Sequence, residues 1–167
     1  VYDNYGKKVS RQDSLQTLGL EEGRYLLFFG FIRAYKGLDL LLKALADERL
    51  QERGIKLIVA GEYYGKQEYY ENLIDELAVR DRVVLFNEYI PNEKVKYFFA
   101  ASNLVVQPYK TATQSGISQM AYHFDRPMVV TKVGGLPEIV PHGKAGYVVD
   151  IDPKAIARAI LSNLKAG

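Results

Sequence analysis

Two cations three residues apart carry the first chemical signal in this sequence: Arg33 and Lys36 stand within FFGFIRAYKG, residues 28–37. The run YLLFF at 25–29 has the length and the apolar, aromatic character of a strand buried on both faces. After Gly37 comes LDLLLKAL, dense in good helix formers. Strand, short glycine-bounded loop and helix in succession place the loop at the carboxyl end of a parallel sheet. There a helix directs its unsatisfied N–H groups and positive dipole end toward whatever docks. With a guanidinium and an ammonium added, the loop is a seat for an anion, best matched by a phosphate or diphosphate.

The elements that must position these residues recur along the chain. Apolar runs at 25–29, 55–60, 83–86, 104–106, 128–130 and 147–149 read as strands. Helical patterns occupy 38–47, 67–79, 92–100, 115–124 and 153–164. Asn92 is the expected cap of the third helix, and Asp152-Pro153 opens the last. Strands alternating with helices imply βαβ units. The expected fold is a single doubly wound, Rossmann-like α/β domain over residues 24–167, its parallel strands covered by helices on both faces. Residues 1–23 read as a lead-in or linker, with a short helix at 10–18 that Ser10 caps and in which Asp13 stands three residues on.

In the dinucleotide-binding strand order the topological switch falls between the first and fourth strands. The loop after strand four, QPYKTATQSG at 107–116, then faces Arg33 and Lys36. Its small hydroxyl and glycine residues let backbone N–H groups approach a phosphate, which makes Thr113, Gln114, Ser115 and Gly116 candidate contacts, with Lys110 adding charge. Glu62 and Glu138 follow the second and fifth strands, at the sheet end suited to a sugar hydroxyl or a ribose. Gly134 and Gly135 fit either a tight turn or a close backbone approach to a ligand.

Composition narrows the chemistry. A chain of 167 residues, 48% hydrophobic, fits one globular domain with a sizeable core. It has no cysteine, which rules out disulfides and thiolate metal sites. His123 and His142 are far apart in sequence and lack acidic partners at ligand spacing. A formal charge of +2 is too mild for a general nucleic-acid binder, and no run is long and apolar enough to span a membrane. Serine-hydrolase, zinc-protease and P-loop signatures are missing. Gly-Phe-Ile-Arg stands where a nicotinamide dehydrogenase carries its glycine fingerprint.

Four stretches, GFIRAYKGLDLLLKAL, LIVAGEYY, VVLFNEYIPNEKVKYFFAASNLVVQPY and VVTKVGGLPEIVPHGKAGYVV, resemble in this order the carboxyl-terminal half of the group 1 retaining glycosyltransferases. These are two-domain enzymes of the GT-B fold. The resemblance implies that Arg33 and Lys36, in a G-x-x-R-x-x-K-G loop, grip the donor diphosphate and stabilise charge on the leaving group. It implies donor contacts from Gly30, Phe31 and Glu62, and backbone contacts to the nucleobase around Ile90 and Pro91. The family carries two glutamates, seven residues apart, after strand four. Here TATQSGISQMA has none, so Gln114 or Gln119 stands in for a carboxylate, while Ser115 and Gly116 keep the phosphate contacts.

The same resemblance implies no tightly bound cofactor or metal and a nucleoside-diphosphate-sugar, with UDP or GDP, as co-substrate. A hexose would pass to a glycan, lipid-linked or other acceptor. The acceptor domain would precede this sequence, the protein would be cytoplasmic with room for peripheral membrane association of the full-length chain, and this domain alone would turn nothing over. A nucleotide-binding regulatory or assembly module that has lost transfer is the alternative that the missing glutamates support. A receiver-like signalling domain would need an acidic cluster where the sequence has Gly30 and Glu88.

Overall fold

The computed structural model describes residues 7–111, 117–133 and 146–164. In chain order the elements are α1 (Arg11–Leu18), β1 (Tyr25–Phe29), α2 (Leu38–Leu45), α3 (Glu48–Glu52), β2 (Lys56–Ala60), α4 (Gln67–Glu76) and β3 (Val83–Phe86). Then follow α5 (Asn92–Ala101), β4 (Leu104–Gln107), α6 (Ile117–His123), β5 (Met128–Thr131), β6 (Gly146–Val149) and α7 (Pro153–Leu164). The six strands are parallel, in the order β3-β2-β1-β4-β5-β6. The fold is the doubly wound α/β class that the alternation implies. Leu26 pairs with Leu104 and Leu27 with Val105, so β1 and β4 are neighbours and the topological switch lies between them.

The two-residue period of a strand decides which layer each side chain joins. On β1, Leu26 and Phe28 enter a cluster with Leu41, Leu45, Ile74 and Ile160 from α2, α4 and α7. Tyr25 and Leu27 enter the opposite cluster with Leu15, Val95, Phe99 and Ala121 from α1, α5 and α6. Both faces of the central strands are therefore dry. That is why YLLFF and KLIVA read as continuous apolar runs instead of alternating ones. Ser10 caps α1 as expected, its Oγ accepting from the Asp13 N–H at 3.0 Å. Leu15 is buried in the second cluster, so this lead-in helix contributes to the core.

Several boundaries differ from the sequence reading for local reasons. α2 stops at Leu45, and Asp47 caps the separate α3 by accepting from the Arg49 N–H at 2.9 Å. An aspartate that satisfies a free N–H starts a new helix more readily than it continues an old one. α4 ends at Glu76, and Ala78 turns left-handed with φ 57°, so that Val79 enters the core. Asn92 is the first residue of α5 instead of its cap; extended Pro91 takes the cap position without a side-chain bond. α7 opens as expected, with Asp152 Oδ2 accepting from the Ala155 N–H at 3.2 Å.

Candidate functional site

At the carboxyl end of the sheet, the β1–α2 loop and the loop after β4 are bound to each other. The Lys110 N–H donates to the Tyr35 carbonyl at 2.7 Å, and the Tyr35 and Tyr109 rings meet edge-to-face with centroids 6.0 Å apart. Thr131 Oγ1 donates to the Tyr109 carbonyl at 2.6 Å, which ties the end of β5 to the same loop. Lys110 Nζ lies 2.8 Å from Asp39 Oδ2 in the first turn of α2. The ammonium that the sequence suggests for the anion seat is thus engaged by a nearly buried carboxylate.

The cationic loop itself presents two groups. The Arg33 guanidinium carbon lies 4.0 Å from the centroid of the Tyr64 ring, in cation–π contact. Lys36 turns back over the end of β1: a Cβ placed on Gly30 would lie 3.2 Å from Lys36 Nζ and 3.8 Å from Ile117 Cδ1 of α6. Burial, and then the like charge of Arg33, hold the Lys36 ammonium below the ordinary lysine range. Desolvation and a neighbouring like charge both penalise the ammonium form, and a negative charge placed beside it would offset that penalty.

Next to the cations a cleft of about 150 Å³ opens at the ends of β1, β2 and β3, lined by residues 29–31, 60–62 and 88–90. The strand ends meet closely enough to shape it only because Gly61 has no side chain: a Cβ there would fall 2.0 Å from the Gly30 oxygen, and its φ is 145°. Gly30 N–H donates to the Ala60 carbonyl at 2.9 Å and Gly61 N–H to that of Phe86 at 3.0 Å. Phe29, Ala60 and Ile90 give apolar walls, and Glu62 and Glu88 give exposed carboxylates. Sites for whole drug-sized ligands run to about 300–1,000 Å³, so this cleft suits one flat ring of a larger ligand.

Gly30, Phe31, Glu62 and Ile90 therefore line one cleft, with Pro91 beside it at the start of α5 and Arg33 and Lys36 on the adjoining loop. Thr113, Gln114, Ser115 and Gly116, the side chain of Gln119, and Gly134, Gly135, Glu138 and His142 lie outside the described residues. Sequence reasoning missed Tyr64, Tyr89 and the Asp39 partner of Lys110. The available signal was the tyrosines that follow each strand-end acid, Tyr63-Tyr64 in GEYY and Tyr89 in NEY. Among the described residues no helix is long and apolar enough to cross a membrane, and no cluster of His, Asp and Glu could hold a metal ion.

The chain is 28% identical over 165 residues to a D-inositol 3-phosphate glycosyltransferase of Corynebacterium efficiens, covering 95% of this chain and 39% of that one. It thus spans about two fifths of that relative's length. Among solved structures, Alr3699/HepE of Anabaena, in complex with UDP and glucose, superposes with a TM-score of 0.82 at 24% identity, over 95% of this chain and 44% of its own. The C-terminal domain of the group 1 glycosyl transferase LpcC from Francisella tularensis superposes with the same score at 17% identity, over 96% of this chain and 85% of that domain. These superpositions carry the fold. A family model described as glycosyl transferases group 1 matches residues 23–166, from just before β1 through α7. With the whole sheet and both site loops inside that match, the chain belongs to the group 1 glycosyl transferase family.

Proposed function

We propose that this chain is the donor-binding domain of a retaining glycosyltransferase, holding a nucleoside-diphosphate-sugar with the base in the cleft and the diphosphate against Arg33 and Lys36. The observation that carries the reading is a pair of neighbouring cations, one with a depressed pKa, on the loop that borders a cleft sized for a single ring. In such a transfer, charge builds on the leaving diphosphate as the bond to the sugar breaks. Fixed cations aimed at that charge lower the barrier, and no tightly bound metal or cofactor is needed for it. The UDP and glucose held by Alr3699/HepE support the class of donor. In this reading a hexose passes to a glycan, lipid-linked or other acceptor. Because the cleft is open on one side in this domain, the domain alone binds donor without transferring sugar.

A thermal-shift panel of UDP, GDP, ADP and their sugars tests the reading, since a ligand that binds only the folded chain raises its melting point. At least one member is expected to do so. Charge-assisted contacts to phosphate are worth about 1.5–3 kcal/mol, so Arg33→Ala or Lys36→Ala should weaken that ligand about tenfold or more. A panel without any shift refutes the proposal.

A further inference from the structure

Tyr64 is 61% exposed, so its ring adds little to the core. The ring is nevertheless held in place. Ile32 N–H donates to the Glu62 carbonyl at 2.9 Å and Tyr64 N–H to the Ile32 carbonyl at 3.0 Å, while Ile32 and Tyr63 form a parallel bridge. These bonds extend the β1–β2 pairing beyond the strand ends and fix Tyr64 opposite the cationic loop. Phe31 meets the Tyr64 ring edge-to-face, with centroids 5.5 Å apart and planes at 69°. The Arg33 guanidinium then lies over the ring, 4.0 Å from its centroid.

An aromatic face does here what a carboxylate could not. Arg33 is a long, flexible cation with the like charge of Lys36 nearby, so it needs an attractive partner to keep one orientation. A carboxylate would fix it but would also repel the incoming anion and cancel the charge of the site. The negative face of a neutral ring holds the guanidinium and leaves its full charge available.

We propose that Tyr64, braced by Phe31, is a positioning residue: it holds the Arg33 guanidinium oriented at the edge of the cleft, ready for the diphosphate. The inference rests on the donor-binding reading above. From there on Arg33 is preorganised, and its contact with the diphosphate does not carry the full entropic cost of ordering a free arginine side chain.

Calorimetric titration with UDP, GDP and ADP, on the wild-type chain and on Tyr64→Ala, Tyr64→Phe, Arg33→Ala and the Arg33→Ala/Tyr64→Ala double variant, tests the role. Tyr64→Ala is expected to weaken diphosphate binding about three- to tenfold, the range of an exposed to partly desolvated cation–π contact. Tyr64→Phe retains the ring face and should bind as wild type. In the Arg33→Ala background the Tyr64→Ala change should add nothing, because the ring then has no cation to hold. A merely structural tyrosine would weaken binding in both backgrounds, and that result overturns the role, as does wild-type affinity in Tyr64→Ala. If wild type binds none of the three diphosphates, the role and the reading beneath it both fall. If Arg33→Ala weakens binding and Tyr64→Ala does not, the role falls alone.

Discussion

Gly37 and the carbonyl of Pro108 meet across the topological switch: a Cβ on Gly37 would lie 1.9 Å from that oxygen. Gly37 also has φ 76°, a left-handed conformation that side-chain-bearing residues adopt at a cost. Two demands for glycine thus coincide where the β1–α2 loop, with its two cations, is pressed onto the loop after β4. Gly37→Ala is expected to lose about 2–4 kcal/mol of stability, combining left-handed strain with a backbone overlap. For a chain of this size that lowers the melting temperature by about 5–15 °C. A calorimetric melt within about 2 °C of wild type would show that the two loops can part freely.

Lys110 and Asp39 form the second link between the same loops. The Asp39 side chain is 11% exposed, and its Oδ1 has no hydrogen-bond partner among the described residues. Lys110→Met would leave both carboxylate oxygens unpaired in a nearly closed environment. A loss of about 1–3 kcal/mol is expected in urea denaturation, moderated because Lys110 itself is more than one third exposed. Adding Asp39→Asn should recover part of that loss, since the buried charge is then gone. Stability equal to wild type in Lys110→Met would refute the link. Diphosphate affinity should fall less in this variant than in Arg33→Ala, because the ammonium is already held by Asp39.

Lys36 makes binding depend on pH with a definite sign. In the free chain, burial and the charge of Arg33 hold its pKa below the ordinary lysine range. A bound diphosphate favours the ammonium and raises that pKa. Between the two values the complex holds more protons than the free chain, so binding takes up protons and weakens as pH rises. For folding, the unfolded chain holds more protons between the lowered folded pKa and the ordinary value near 10.4. The Lys36 contribution to stability therefore rises with pH across that window. Calorimetry in two buffers of unlike ionisation enthalpy, repeated at several pH values up to the ordinary lysine value of about 10.4, should reveal proton uptake in wild type and none in Lys36→Arg, whose charge is permanent. Identical heats in both buffers for wild type would contradict the scheme.

The layers of this fold are legible in the sequence because the central strands are buried on both faces, so each appears as an unbroken apolar run. With the strand order of the dinucleotide-binding fold taken, the switch between β1 and β4 follows, and with it the place of Arg33 and Lys36. What periodicity does not reveal is which side chains meet across loops. Asp39 looks like one polar residue in LDLLLKAL, yet it is buried against Lys110. Tyr64 looks like one tyrosine among many, and its role depends on the bridge that aligns it with Arg33. Arg82 and Arg126 resemble solvated charges, but they donate to the carbonyls of Ile55 and Leu45 and of Phe99 and Ala100. The arginine contacts reach partners 26 to 37 residues away, and the Asp39–Lys110 pair spans 71 residues.

The cleft and the cations should be separable by mutation. Ile90 lines the cleft together with Phe31, on the loop that leads from β3 into α5. Ile90→Trp places an indole where the proposed nucleobase would lie, without touching Arg33 or Lys36. Contacts of a base with aromatic and apolar walls are worth about 1–3 kcal/mol, so UDP, GDP and ADP should each lose about tenfold or more in affinity if they bind there. Inorganic pyrophosphate has no base and should bind this variant within about twofold of wild type, whereas Lys36→Ala should weaken both kinds of ligand. Calorimetric titration of both variants with both ligand types decides the matter. Equal losses for pyrophosphate and nucleotide in Ile90→Trp would show that the cleft and the cations act as one undivided site. Unchanged nucleotide affinity would move the base out of the cleft.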